Sequence, residues 1–273
     1  MPHAAPAGQA RAFPTPVQQA LIFAAGEGTR LRPLTLDRPK PMLPVGDQPL
    51  LERLVVLLRQ HGIREITINL HYRGDIIQRH FADGARWGVR IHYLHEPRLL
   101  GSAGTLLQLR QHFTGSFVAL YGDLYTNADL SALAAYHAAH HARLTLAVHT
   151  AEEPTREGIV ALAPEPDGAP DAGRVTRFVE KPPPDAVFSR LANAGIFVME
   201  PDVTDALTPP PGARDPQATP LDIGHDLLPA LLASGAPVYA TPLRGFLLDI
   251  GSPERYREAN DHARLVPAGA APQ

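Results

Sequence analysis

The chain has 273 residues, of which 44% are hydrophobic, 19% charged and 6% aromatic, and its 25 Lys+Arg against 28 Asp+Glu give a formal charge of −3. That length suits one large α/β domain or two small ones. The near balance of charge lacks the basic footprint of a dedicated nucleic-acid binder, and no apolar run reaches the roughly 18 residues needed to cross a membrane. The absence of cysteine excludes disulfides, thiolate zinc sites and cysteine nucleophiles together.

Residues 1–16 are rich in Ala, Pro and Gly and carry no charged start followed by an apolar stretch, so they do not read as a signal peptide. A cytoplasmic protein is expected. Residues 20–24 form a short apolar run before a glycine-rich loop, the pattern of a buried parallel strand. Over residues 49–60, Leu50, Leu51, Leu54, Val55, Leu57 and Leu58 make one broad helical stripe, closed by Gly62. The pattern then predicts strands at 65–70, 89–94, 117–121 and 144–148, with helices at 74–81, 105–112 and 129–140 between them. Such alternation indicates βαβ units on a mainly parallel, mixed sheet.

After about residue 150 the texture changes. Strands are expected at 159–162 and 175–179 across a Pro/Asp/Gly turn (164–173), and another at 194–199. A helix at 223–232, short strands at 238–241 and 246–249, and a closing helix at 253–262 complete the chain. This half reads as a smaller β-rich region on the same sheet. Residues 1–17 and 266–273 are expected to be disordered tails around one domain at 18–265. No repeat of about 20–50 residues is visible.

The loop after the first strand contains Gly26 and Gly28, at the carboxyl end of a strand where α/β sheets bind ligands. A dinucleotide fingerprint would need glycine at Leu31, and a P-loop would need Gly-Lys-Ser/Thr; neither is present. Arginine supplies 23 of the 25 basic residues, leaving only Lys40 and Lys181 as lysines. Lys40 lies in Pro39-Lys40-Pro41, where proline restricts the backbone and holds the ammonium with little freedom. A glycine cradle, Arg30 and a stiffly held lysine suit a polyphosphate whose charge must be neutralised as it leaves.

Gly26-x-Gly28-Thr29-Arg30-Leu31-x-Pro33-Leu34-Thr35 followed by Pro39-Lys40-Pro41 resembles the signature of sugar-1-phosphate nucleotidyltransferases. Gly101-Ser102-Ala103-Gly104, Tyr121-Gly122-Asp123, Glu180-Lys181-Pro182, Asn193-Ala194-Gly195 and Asp249-Ile250-Gly251 follow in the family's order, so the resemblance covers about residues 18–262. It implies a Rossmann-like three-layer α/β fold, with a nucleotide-binding half at 18–150 and a β-rich sugar-binding half at 151–265. It also implies the reaction of an NTP with a sugar 1-phosphate, in the presence of Mg²⁺, to give NDP-sugar and pyrophosphate.

By the same resemblance Ala24, Ala25, Gly26, Gly28, Thr29, Glu96, Gly101 and Gly104 bind the nucleotide, together with Arg30, Lys40 and Asp123. Asp123 and Asp249 are the metal ligands, and Arg30, Lys40, Asp123, Lys181 and Asp249 form the catalytic set. Gly158, Glu180, Lys181, Asn193 and Gly195 hold the sugar phosphate. The two lysines thus fall in the two phosphate-binding positions. The partners implied are the NTP and the sugar 1-phosphate, with no nucleic acid and no membrane; a homo-oligomer is left open.

Glu96 bears on the base. An ionised carboxylate only accepts, which suits the paired N–H donors of guanine better than the single N–H of uracil or thymine. With the stretch Leu221-Asp222-Ile223-Gly224-His225-Asp226, which resembles mannose-1-phosphate enzymes, this points to GTP and a manno-sugar. His225 stands where a lysine is common in those enzymes. A glucose-1-phosphate thymidylyl- or uridylyltransferase stands as the alternative, as does a catalytically silent regulatory homologue that binds an NDP-sugar. His137, His140 and His141 have helical spacing, but their surroundings read as a solvated helix end rather than a metal site. The proline runs 182–184 and 209–211 read as stiff loop elements.

Overall fold

The computed structural model describes residues 17–163, 169–207 and 219–265. The expected tails at 1–16 and 266–273, the first part of the 164–173 turn and the 209–211 proline run lie outside these residues.

In chain order, β1 (Gln19–Phe23) is followed by a hairpin of β2 (Pro44–Val45) and β3 (Gln48–Pro49), then α1 (Leu50–Gln60), β4 (Glu65–Leu70), α2 (Gly74–Phe81) and β5 (Arg90–His95). Next come α3 (Ser102–Gln108), β6 (Phe117–Tyr121), β7 (Leu124–Thr126), α4 (Leu130–Ala139) and β8 (Leu144–Thr150). The rest comprises β9 (Gly158–Leu162), β10 (Gly173–Glu180), β11 (Leu191–Met199), α5 (Leu228–Ala233), β12 (Val238–Pro242), β13 (Leu247–Asp249) and α6 (Pro253–Leu265).

Nine strands form one sheet in the order β5-β4-β1-β6-β11-β8-β12-β10-β9. Alternate side chains of its central strands enter two separate cores. Ala20 and Ile22 of β1, with Val118 and Leu120 of β6, pack beneath α1, α2 and α4, while Leu21, Phe117 and Ala119 pack beneath α3 and α5. Helices therefore cover both faces, which is why residues 20–23 of β1 are all apolar rather than alternating.

The run β5-β4-β1-β6 is parallel, as is β8 with β12, but β11 opposes both β6 and β8, and β10 opposes β9 and β12. The mainly parallel expectation thus holds for the first half only. Parallel neighbours need a long crossover, and the short connection between β9 and β10 cannot supply one. α3 starts at Ser102, not at 105, because Gly101 takes a positive φ of 77° and its carbonyl accepts the Thr105 N–H. The strand carrying Asp249 pairs with β7 in a two-stranded ribbon outside the main sheet.

His137 departs from the solvated helix end expected of it. It is 2% exposed, with Nδ1 at 2.9 Å from Thr145 Oγ1 and Nε2 at 3.0 Å from Glu200 Oε1. Among the described residues no helix is long and apolar enough to cross a membrane.

Candidate active site

A cavity of about 460 Å³ opens where β1 and β6 end. One end is built by the chain leaving β1, with Ala24, Ala25, Gly26, Gly28, Thr29 and Arg30 all on its wall. Gly28 has φ of 64°, and a Cβ there would lie 2.9 Å from Lys40 Cβ, so glycine lets the loop and the lysine lie against each other. Thr35 Oγ1 donates to the Gly28 carbonyl at 2.9 Å and fixes the loop. Lys40 opens a single turn, Lys40–Met42, flanked by Pro39 and Pro41, and its Nζ pairs directly with Asp123 Oδ2.

Asp123 sits in the turn between β6 and β7, and Asp249 ends β13, the strand that pairs with β7. The Ile250 N–H donates to the Asp123 carbonyl at 3.0 Å, and Asp249 faces Leu124 in the β7–β13 register. Asp249 Oδ1 accepts the Gly251 N–H at 2.9 Å while Oδ2 is 3.3 Å from Arg255. The Arg30 guanidinium belongs to the same corner, since a Cβ on Gly251 would meet it at 3.4 Å. Asp123, Arg30 and Lys40 line the cavity; Asp249 adjoins it through Gly251. Among the described residues no group of three or more His, Asp or Glu is gathered as a metal site, so the two aspartates stand as a pair.

Also on the cavity wall, Glu96 is 4% exposed and holds a buried network. Its Oε1 accepts from Asn69 Nδ2 at 2.8 Å and Thr105 Oγ1 at 2.6 Å, and Oε2 accepts the Leu100 N–H at 3.1 Å. Asn69 Oδ1 in turn accepts the Ala24 N–H at 2.7 Å. One carboxylate thereby ties the ends of β1, β4 and β5 to the start of α3. Gly101 lies on the cavity wall beside it, with the Leu221 carbonyl where a Cβ would have to go, and Gly104 donates its N–H to that same carbonyl at 3.3 Å.

The residues expected on the sugar side gather elsewhere. Glu180 faces Gly158 in the β9–β10 register, and a Cβ on Gly224 would lie 2.6 Å from its Oε2. Lys181 Nζ is 3.3 Å from Glu180 Oε1, with its side chain 62% exposed. Asn193 Oδ1 accepts the Gly195 N–H at 2.9 Å, and Gly195 packs on the ring of Tyr121. None of these five is on the cavity wall itself; Tyr121 is, and it connects the two groups.

Ser102, Tyr121 and Asp222 also line the cavity and were absent from the residues expected to bind. Ser102 and Tyr121 sit inside motifs already singled out, so position alone marks them. Asp222 looks locally like a cap, and it is one: Oδ1 accepts the Gly224 N–H at 2.7 Å. Burial foremost, then the charge of Asp222, pushes the Tyr121 phenol well above its ordinary pKa.

Residues 19–264 match the family model described as nucleotidyl transferase. The chain is 34% identical over 253 residues to a UTP–glucose-1-phosphate uridylyltransferase of Synechocystis, covering 88% of this chain and 62% of that one. It is 32% identical over 242 residues to mannose-1-phosphate guanyltransferase beta-A of Xenopus laevis, covering 87% and 62%. It thus spans about 62% of the length of these relatives. In fold it is similar to a UDP-glucose pyrophosphorylase solved with UDP-glucose, with TM-score 0.77 and 20% identity over 91% of this chain and 99% of that one.

Proposed function

The chain belongs to the nucleotidyl transferase family, and from that premise we propose that it transfers a nucleoside monophosphate from an NTP to a sugar 1-phosphate. The observation that carries this is the meeting of Gly28, Arg30, Lys40 and Asp123 around one cavity at the end of a parallel strand. An oxygen of the sugar phosphate attacks the α-phosphorus. The bond from that phosphorus to the bridging oxygen breaks, and pyrophosphate leaves with the electron pair. The attacking group is already an anion, so the protein needs no general base; it must position the reactants and neutralise charge.

In this reading the nucleotide half, 18–150, holds the NTP. The backbone of Ala24, Ala25, Gly26 and Thr29 approaches the phosphates, and Arg30 and Lys40 neutralise the leaving pyrophosphate. Lys181 in the half at 151–265 grips the sugar phosphate, with Glu180 and Asn193 near sugar hydroxyls and Gly158 and Gly195 allowing close approach. Asp123 and Asp249 suit a hard divalent cation. Each carboxylate keeps lone pairs beyond its present partners, so the two would hold such a cation beside the phosphates. Mg²⁺ held there would supply charge neutralisation at the reacting phosphates.

For the base and sugar the reading is GTP with mannose 1-phosphate, supported by the guanyltransferase relative. The second reading, uridylyl or thymidylyl transfer to glucose 1-phosphate, is favoured by Glu96, whose carboxylate is already engaged by three donors of its own chain and has little left to offer guanine. The test is pyrophosphate release with Mg²⁺, crossing GTP, UTP, dTTP, ATP and CTP against mannose 1-phosphate and glucose 1-phosphate. Turnover strongest with GTP supports the first pair. A preference for UTP or dTTP keeps the reaction and replaces the base.

A further inference from the structure

Three polar side chains that the chemistry above leaves unused meet on the cavity wall: Tyr121 at the end of β6, Ser102 at the start of α3, and Asp222. Ser102 is the hub. Its hydroxyl donates to Asp222 Oδ2 at 2.9 Å and accepts the Ile223 N–H at 2.9 Å. Backbone bonds stitch the same two segments together, from Leu221 N–H to the Leu100 carbonyl and from Ala103 N–H to the Leu221 carbonyl, each at 2.9 Å. Ser102 and Asp222 are therefore fixed before any ligand arrives.

Tyr121 is held as firmly but satisfied less well. Its ring centroid lies 5.4 Å from that of Phe23 and 6.2 Å from that of Phe197, and a Cβ on Gly195 would come 2.7 Å from Cδ2. The hydroxyl finds Ser102 Oγ at 3.5 Å, the outer limit of a hydrogen bond. The Ser102 proton is committed to Asp222, so the phenol must be the donor in that contact. An O–H with so distant an acceptor, on a part-buried ring, is an under-used donor beside a cavity. Its place is also specific, between Asp123 on one side and the Glu180–Gly195 group on the other.

We propose that Tyr121 is a specificity-determining residue of the sugar subsite, its hydroxyl donating to one hydroxyl of the pyranose, with Ser102 and Asp222 as positioning residues that fix the wall around it. This rests on the nucleotidyl-transfer reading and adds a donor to the expected sugar set of Gly158, Glu180, Lys181, Asn193 and Gly195. A site built to bond a hydroxyl discriminates against a sugar that presents it wrongly, because its own polar group is then left unpaired.

The experiment is steady-state pyrophosphate release by the full chain and by Tyr121→Phe, Ser102→Ala and Ser102→Thr, with GTP and UTP each against mannose 1-phosphate and glucose 1-phosphate. Tyr121→Phe removes one hydroxyl and no packing. It is expected to raise the KM for the accepted sugar phosphate about tenfold, the size of one lost hydrogen bond, and to narrow the preference between the two sugars. The KM for NTP and the melting temperature stay as in the parent chain. Ser102→Ala shifts the same sugar KM, and Ser102→Thr, which keeps the hydroxyl, restores it. An unchanged sugar KM in Tyr121→Phe, or a shift confined to the NTP, overturns the inference while leaving the transfer reaction standing. A parent chain silent with all four pairs, and with dTTP against both sugars, overturns the nucleotidyl-transfer reading on which this rests.

Discussion

Lys40 and Asp123 are direct partners across 83 residues, an ion pair at the point where the loop after β1 meets the end of β6. Lys40 is one of two lysines in the chain, and its stem is packed against Gly28. The pair fixes a cation and a carboxylate side by side, one suited to phosphate and the other to a divalent ion. A ligand bearing both would be met by two preset charges rather than by flexible surface chains.

Asp123→Asn tests this corner. The amide keeps the side chain's shape but removes its charge, so kcat is expected to fall about a thousandfold. The melting temperature should stay within about 5 °C, since the site is partly open to solvent. Steady-state kinetics beside a thermal melt checks it. Near-normal turnover would remove Asp123 from the reaction.

The Lys181 ammonium pairs with the neighbouring Glu180 and its side chain is mostly exposed, so that side chain has little to do for the fold. Lys181→Ala is expected to leave stability unchanged and to raise the KM for sugar 1-phosphate about tenfold to a hundredfold, with a small change in the KM for NTP. If only NTP binding weakens, the roles of the two lysines must be exchanged.

Glu96 carries a structural load that can be measured apart from activity. Glu96→Ala removes the acceptor shared by Asn69, Thr105 and the Leu100 N–H, leaving Asn69 on Thr105 Oγ1 and Thr105 on the Gly101 carbonyl, at a cost of about 1–3 kcal/mol. Urea unfolding reads this directly. A loss below about 0.5 kcal/mol would show that the network does not hold the wall.

His137 gives the protein a pH dependence away from the site. Burial, the largest influence, lowers its pKa below the ordinary 6.5, while the Glu200 contact opposes that shift. The unfolded chain therefore binds more protons than the folded one just below pH 6.5, and stability must fall as pH falls through that window. His61 and His112 are lowered chiefly by burial too and add in the same direction. Melting temperatures at pH 7.5 and at about 5.5 are expected to differ less in His137→Gln than in the parent chain. Equal differences would assign the acid sensitivity to other groups.

Local pattern was enough to find most of the fold. The leucine stripe of α1 and the apolar runs of β1, β4 and β6 announce themselves through period and punctuation. β7 does not, because three residues are too few to show alternation. The insertion of β11 between β6 and β8 is set by pairing between distant segments, to which no local window is sensitive. The same limit explains the site. Gly28, Arg30 and Lys40 lie within a dozen residues and read as one phosphate cradle, whereas the Ser102–Asp222 bond spans 120 residues. His137 failed for this reason as well: its neighbours are alanines, and its carboxylate partner lies 63 residues on.

The central claim is that a phosphate oxygen of a sugar 1-phosphate displaces pyrophosphate from an NTP at this cavity. The most direct measurement is ³¹P NMR of the full chain incubated with Mg²⁺, mannose 1-phosphate or glucose 1-phosphate, and GTP or UTP. The account predicts the coupled diphosphate resonances of an NDP-sugar growing together with a pyrophosphate singlet, in equal amounts. NTP that remains intact, or that yields NDP and inorganic phosphate while the sugar phosphate persists, would contradict it.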